Sequence, residues 1–111
     1  MDTLERDRSL IESILIKYTE IPYAYGDFHT EAVFDRARDR YALINVGWDG
    51  RDRVHGCLVH VDIIDGKFWI QRDGIEHGIV TELLDAGIPK ERIVMAYKSI
   101  ERRRLMEFAV S

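Results

Sequence analysis

An Asp-Gly pair, Asp65-Gly66, separates two runs of β-branched and aromatic residues in RVHGCLVHVDIIDGKFWIQRDG. Both central residues of a type I′ turn need positive φ, which glycine adopts freely and aspartate tolerates. The pair therefore predicts a tight hairpin between two long strands. Two further turn signals, WDGRDR and DRARDR, predict two strands before it. The four predicted strands are about Glu31–Asp35, Arg40–Trp48, Arg53–Ile64 and Lys67–Gln71.

The hairpin also predicts which side chains share a face of the sheet. Pairing Ile64 with Lys67 places His60 opposite Gln71, and side chains then alternate between the two faces. One predicted face is apolar and carries Cys57, Val59, Val61, Ile63, Phe68 and Ile70. The other is mixed and carries Leu58, His60, Asp62, Trp69 and Gln71. A Trp48–Arg53 pair would add Ala42, Ile44 and Val46 to the apolar face, and Tyr41, Leu43 and Asn45 to the mixed one.

Two helices are predicted on either side of this β region. The first follows from the amphipathic pattern of DTLERDRSLIESILIKYTEI, with Asp2 and Glu5 spaced as a capping box and Pro22 after its end. The second covers Ile75–Ala86, and Gly87 is placed as its left-handed terminator. Residues 90–99 fit a short helix or a last strand, and the apolar tail after them is expected to dock on the domain.

These elements predict an α+β fold: an antiparallel sheet of about four strands in a meander, with both helices packed on it. A length of 111 residues indicates a single domain over residues 1–111. The sequence contains no internal repeat and no low-complexity segment at which to divide the chain. The predicted core residues are Ile11, Ile14, Leu15, Val59, Val61, Ile63, Phe68, Ile70 and Leu83.

Composition narrows the classes of function. The formal net charge is −4, whereas proteins that bind DNA by themselves usually concentrate positive charge. The single cysteine excludes an internal disulfide, and the charged N-terminus does not resemble a signal peptide. We therefore expect a cytoplasmic protein that contacts another protein or a small molecule.

The candidate reactive groups lie in the hairpin. A nucleophilic Cys57 would need a positive environment and access to solvent, and the predicted apolar face offers neither, so we expect a buried thiol and no enzymatic activity. His60 and Asp62 share the mixed face and could bind a metal or form an oriented base, but a metal needs a third ligand. The preferred interpretation is a polar cross-strand row covered by a helix or a partner, with ligand binding and catalysis as alternatives. The candidate partner or ligand face is Tyr41, Asn45, His60, Asp62, Trp69 and Gln71. No catalytic residue, metal ligand or cofactor is predicted.

A basic cluster near the C-terminus gives a weaker alternative. Lys98, Arg102, Arg103 and Arg104 could contact phosphates or a partner protein. The glycines of the chain do not match a phosphate-binding loop, because no predicted helix follows them at the required spacing. Direct DNA binding therefore ranks below protein contact.

The order and spacing of several motifs resemble one family. INVGWDGRDRVHGCLVHVDIIDGKFWIQRDG, then ELLDAGIPKERIVMAY and the closing EFAVS, are similar to the XisI family of cyanobacteria, the fdxN-element excision controlling factors. The resemblance implies a role in a programmed DNA rearrangement during heterocyst differentiation, in which a separate recombinase exchanges the strands. It also implies an XisH-like, nuclease-related protein or the recombinase as the partner. Sheet edges offer a route to a homo-oligomer.

Overall fold

The computed structural model describes residues 3–22 and 26–111. This part of the chain contains three α-helices and five strands. In chain order they are α1 (Thr3–Thr19), β1 (Asp27–Asp35), β2 (Arg40–Asp49), β3 (Asp52–Ile64), β4 (Lys67–Asp73), α2 (Ile79–Asp85), β5 (Ile93–Val94) and α3 (Ile100–Arg104). A single 3₁₀ turn, Lys90–Arg92, precedes β5.

The strands form one sheet in the order β1-β2-β3-β4-β5. The first four are antiparallel neighbours, which confirms the predicted α+β meander, and β5 adds a short parallel pair to β4. The predicted Ile64–Lys67 pair is present, and Asp65 and Gly66 have φ values of 50° and 76°. These positive values are the ones that a type I′ turn requires.

Helices α1 and α2 pack on one side of the sheet, here called the inner face; the opposite side is the outer face. All nine predicted core residues are buried in the cluster that these helices form with the inner face. Glu82 of α2 joins the two helices, because its carboxylate accepts hydrogen bonds from Tyr18 and Lys17 of α1. Burial, together with this carboxylate, raises the pKa of Tyr18 to about 12.

Ion pairs connect α1 to residues far along the chain. Asp7 is buried and bonds to Arg92, whose Nε also donates to the carbonyl of Gly66 at 2.9 Å. Arg8 Nε donates to Asp39 Oδ1 at 2.7 Å, in the turn between β1 and β2. This guanidinium lowers the pKa of Asp39. The helix is therefore attached to the turns at one end of the sheet as well as to its inner face.

The second helix is shorter than predicted. It begins at Ile79 rather than at residue 75, because Gly78 has a φ of 89° that interrupts the helical backbone. Asp73 holds the start of the helix, since its Oδ2 accepts a hydrogen bond from the backbone N–H of Ile79 at 2.9 Å. Gly87, with a φ of 94°, confirms the predicted left-handed terminator. The predicted capping pair at the N-terminus includes Asp2, which lies outside the described residues.

The C-terminal part ends on the sheet. Residues 90–99 were predicted as a short helix or a last strand, and the strand is present as β5. Val94 of β5 also forms a parallel bridge with Ala109. Phe108 packs against the core, and Arg103 Nη1 donates to the carbonyl of Val110 at 2.8 Å. The prediction that the apolar tail docks is confirmed.

Candidate functional site

A β-bulge in β3 reverses the predicted position of Cys57. Trp48 pairs with Arg53 as predicted, but Ile44 pairs with Cys57 and Leu43 with Val59, so Leu58 has no partner in β2. An unpaired residue changes the alternation of side chains beyond it. The prediction that Cys57 shares a face with Val59 is therefore wrong. Cys57 lies half-buried on the outer face, on the same side as His60.

The same bulge corrects the assignment of the β2 side chains. Tyr41 and Leu43 are fully buried on the inner face opposite Val61 and Val59, whereas Ala42, Ile44 and Val46 lie on the outer face. The Tyr41 hydroxyl donates to Asp39 Oδ1 at 3.1 Å, and burial raises its pKa to about 12. Asn45 follows the inner alternation and accepts a bond from buried Thr30 at 2.8 Å. Tyr41 and Asn45 therefore do not belong to the candidate face.

A second bulge lies in β4. His60 pairs with Arg72 and Val61 with Ile70, so Gln71 is the extra residue and the predicted His60–Gln71 pair is wrong. Arg72 Nε donates to the carbonyl of Cys57 at 2.8 Å across the first bulge. The two bulges are adjacent, and together they determine which side chains of β3 and β4 lie on the outer face.

Three side chains meet around one buried carboxylate on this face. Asp62 is 5% exposed. Its Oδ1 lies 2.8 Å from His60 Nε2 and 3.5 Å from Arg40 Nε, and its Oδ2 accepts from Gln71 Nε2 at 3.2 Å. We call Arg40, His60, Asp62 and Gln71 the polar cluster; Trp69 pairs with Asp62 on the neighbouring strand. Both oxygens of Asp62 are occupied, so this carboxylate holds the other three side chains in place.

Next to the polar cluster lies an open depression of about 280 Å³. Its lining includes Val33, Ala42, Ile44, Cys57 and His60. The Cys57 thiol donates to the carbonyl of Val59 at 3.3 Å. An imidazole oriented by a buried carboxylate has the arrangement of a general base, and the thiol lies in the same depression. Cys57 was expected to be buried in the core, but it is half-buried and lines this depression. Its position therefore does not argue against chemistry at this face.

Residues 3–22 and 26–111 contain no group of three histidine, cysteine, aspartate or glutamate side chains able to hold a metal ion. A stable metal site in a protein usually needs at least three such ligands. Of the polar cluster, two side chains are of these types, His60 and Asp62.

The apolar part of the outer face was not predicted as a site. Its members are half-buried or exposed: Val33, Ala42, Ile44, Val46 and Cys57, which we call the apolar patch. Val33 is 56% exposed, and at the end of the patch Trp48 is 49% exposed, with the Arg53 guanidinium 5.2 Å from its ring. The alternation of side chains in β2 was the signal in the sequence. The prediction did not include the bulge and therefore placed these side chains on the wrong face.

The basic cluster is divided by its contacts. Arg103 is a structural residue, because its guanidinium donates to the carbonyls of Lys98 and Val110 at 3.0 and 2.8 Å. The Lys98 ammonium lies 5.4 Å from the ring of Tyr97. Arg102 and Arg104 are exposed, and these two side chains present their charge to solvent.

Comparison with known proteins identifies the family. The family model described as XisI protein matches residues 1–110. The chain belongs to the XisI family. The resemblance seen in the sequence motifs is therefore confirmed over nearly the whole chain.

Two crystal structures from Anabaena variabilis ATCC 29413 have the XisI fold seen here. An XisI-like protein is 30% identical, with a TM-score of 0.89, and the match covers 97% of this chain and 99% of that one. The fdxN element excision controlling factor XisI is 33% identical, with a TM-score of 0.83, and the match covers 99% and 100%. No curated protein is significantly similar in sequence. None of the helices in the described residues has the length and apolar character needed to cross a membrane.

Proposed function

We propose that this XisI-family chain is a non-catalytic controlling factor that acts by binding another protein. The proposed partner is an XisH-like, nuclease-related protein or the recombinase of an fdxN-type excision. The family description and the similarity to an excision controlling factor support a regulatory role. A net charge of −4 favours a basic partner, since opposite charge speeds encounter and disfavours wrong partners.

The observation that carries the proposal is the polar cluster beside Trp69. His60 and Arg40 remain 39% and 48% exposed at their side chains, yet buried Asp62 orients both. Side chains that are already fixed lose little conformational entropy when a partner binds. Tryptophan and arginine are also the residues most enriched among those that dominate binding energy at interfaces. The arrangement suits recognition of a macromolecular surface.

Co-purification of the two proteins tests this proposal. The purified chain and an XisH-like partner should elute together at micromolar concentration and low salt. Trp69→Ala and His60→Ala should each weaken the complex about tenfold, because a buried contact contributes about 1.4 kcal/mol or more. His77→Ala is the matched control, since His77 is exposed and 3.6 Å from Asp85 on α2.

Separate elution of both candidate partners from the wild-type chain would refute the proposal. Equal weakening by the control variant would also count against the polar cluster as the contact surface. Circular dichroism of every variant is needed, so that a loss of binding is not a loss of folding.

Ligand binding by the outer face is the second candidate. The depression of about 280 Å³ beside His60 favours it, because its wall is largely apolar and a few polar groups converge at one side. A site-specific ligand raises the melting temperature by mass action. A thermal-shift screen of metals, nucleotides and small acids should then find a stabilising compound whose effect is lost in His60→Ala. A flat screen would exclude this candidate.

Direct DNA contact by Arg102 and Arg104 is the weakest candidate. Only the exposure of these two side chains supports it. Fluorescence anisotropy with duplex DNA at low salt should show binding that weakens steeply as salt is added. No binding at low salt would rule it out.

A further inference from the structure

Strand β1 is the long open edge of the sheet in the described part of the chain. It pairs with β2 over 9 residues without a bulge, and no described strand lies on its other side. The opposite edge is short, because β5 has 2 residues, and Ala109 of the tail forms a bridge with it. Proteins often protect an edge with a bulge, a proline or a short strand, and DFHTEAVFD has none of these. A further strand can therefore pair with β1.

The acidic side chains of β1 form one row along this edge. The odd-numbered residues of the strand lie on the outer face, as do their partners in β2: Asp27, His29, Glu31, Val33 and Asp35. His29 Nε2 lies 2.6 Å from Glu31 Oε2, yet the Glu31 side chain is still 53% exposed. The three acids recur at every fourth residue. Because directly opposite side chains on neighbouring strands interact, an added strand would meet all three acids on one of its faces.

The end of β1 brings two more carboxylates to the same side of the molecule. Arg36, which follows β1, donates to Glu12 at 3.0 Å and also bonds to Glu5, both on α1. Arg38 bonds to Asp35 at 3.0 Å. With the other two acids of β1, five carboxylates therefore face two guanidiniums. With histidine neutral, this side has a formal charge of −3, out of −4 for the whole chain.

These charges disfavour pairing of β1 with a second copy of itself. An antiparallel pair that uses the whole strand is centred on Glu31, so that Glu31 meets its own copy and Asp27 meets Asp35. Like charges directly opposite one another destabilise a pair of strands. In this register the edge repels its own copy and complements a strand of positive charge.

The inner-face side chains of β1 determine the other half of the match. Phe28, Ala32 and Phe34 are half-buried, whereas Tyr41 and Leu43, the β2 partners of Phe34 and Ala32, are 0% exposed. A further strand would cover the exposed part of these side chains with apolar residues of its own, and burial of apolar surface stabilises the contact. The matching segment therefore alternates basic residues on the outer face with apolar residues on the inner face.

We propose that the β1 edge binds an extended basic segment of another protein, in which lysine or arginine alternates with β-branched residues. The segment adds a sixth strand to the sheet: its backbone pairs with β1, and its basic row faces Asp27, Glu31 and Asp35. This is a second contact surface and does not rest on the polar cluster. Only Asp35 borders that cluster, since its partner in β2 is Arg40.

Fluorescence anisotropy with a labelled peptide of alternating lysine and valine, as long as β1, tests the proposal at low salt. The peptide should bind, and Glu31→Lys should weaken binding about tenfold, because attractive pairs become repulsive ones. Glu91→Lys is the matched control, since Glu91 is exposed in the 3₁₀ turn and its replacement changes the net charge equally. It should bind nearly as the wild type does. His60→Ala should also leave binding unchanged, which separates this edge from the polar cluster.

Modified peptides separate backbone pairing from attraction between charges. A peptide of alternating glutamate and valine should not bind. Two N-methylated peptides, one methylated at its lysines and one at its valines, keep the charge, but each loses the N–H donors along one edge. At least one of the two should lose binding. Absence of binding by the lysine peptide, equal binding by the glutamate peptide, full binding by both methylated peptides, or equal effects of Glu31→Lys and Glu91→Lys would each overturn the proposal.

Discussion

Gly74 is predicted to be required for the bulge that places Cys57 on the outer face. Its N–H donates to the carbonyl of Leu58, the extra residue of that bulge, at 2.8 Å. A Cβ at position 74 would lie 2.6 Å from the same carbonyl oxygen and 3.0 Å from Leu58 Cδ1. The closer atom belongs to the backbone, so Gly74→Ala cannot be relieved by rotating a side chain.

The magnitude follows from three contributions. Overpacking typically costs about 1–3 kcal/mol, and weakening the Gly74 hydrogen bond costs about 1 kcal/mol more. Replacing glycine by alanine restricts the unfolded chain and offsets about 0.4–1 kcal/mol of this. We therefore expect Gly74→Ala to lower the free energy of unfolding by about 2 kcal/mol.

The matched control is Gly56→Ala. Gly56 lies in β3 near the same bulge, but a Cβ there would meet no atom within 4 Å. This variant should be neutral or more stable by up to about 1 kcal/mol. Equilibrium unfolding in urea measures both variants, and a thiol reagent reports whether Cys57 changes its exposure. If Gly74→Ala is as stable as Gly56→Ala, the bulge does not depend on this close approach.

Three further predictions concern the core, the tail and alkaline pH. Val61→Asp should prevent folding, because Val61 is 0% exposed and the change would bury a charge. Circular dichroism measures this, and a folded variant would contradict the assigned core. Arg103→Ala should speed proteolysis of the C-terminal tail, since it removes two hydrogen bonds to backbone carbonyls, whereas Arg102→Ala should not; equal rates would show that the tail is held otherwise. The pKa of Tyr18, raised to about 12 by burial and Glu82, predicts stability that is complete below pH 10 and is lost as pH rises from 10 to 12. Urea unfolding over this range should show a smaller loss in Tyr18→Phe, and an unchanged slope would contradict the assignment.

Turn chemistry and periodicity were sufficient to predict the sheet. Asp65-Gly66 fixes a local backbone geometry that few other residues accept, and the pairs that depend on it are present up to Val61. The core residues followed because alternation holds over short distances from a known turn. The α+β meander was therefore predictable from local signals.

The candidate face was predicted only in part, because a bulge changes every side chain beyond it. His60, Asp62, Trp69 and Gln71 lie on the outer face, but Tyr41 and Asn45 do not. Either register gives β2 one apolar face, so hydrophobicity alone could not choose between them. The bulge depends on the close contact between Gly74 and Leu58, which is long-range and gave no signal in the sequence pattern.

The late elements depended on tertiary contacts. Strand β5 has two residues and pairs parallel to β4, so its existence depends on the neighbouring strand rather than on its own pattern. The role of Arg103 likewise depends on where the tail ends, and a run of three arginines gave no means of separating it from its neighbours.

The attachment of α1 has a consequence for the order of folding. Hairpins β1–β4 close between neighbouring segments, whereas Asp7 must find Arg92, 85 positions away. Contacts of large sequence separation form slowly, since a long loop must close before they are made. During synthesis the first helix leaves the ribosome before its docking site exists. We therefore expect α1 to remain partly formed and undocked until almost the entire chain has emerged.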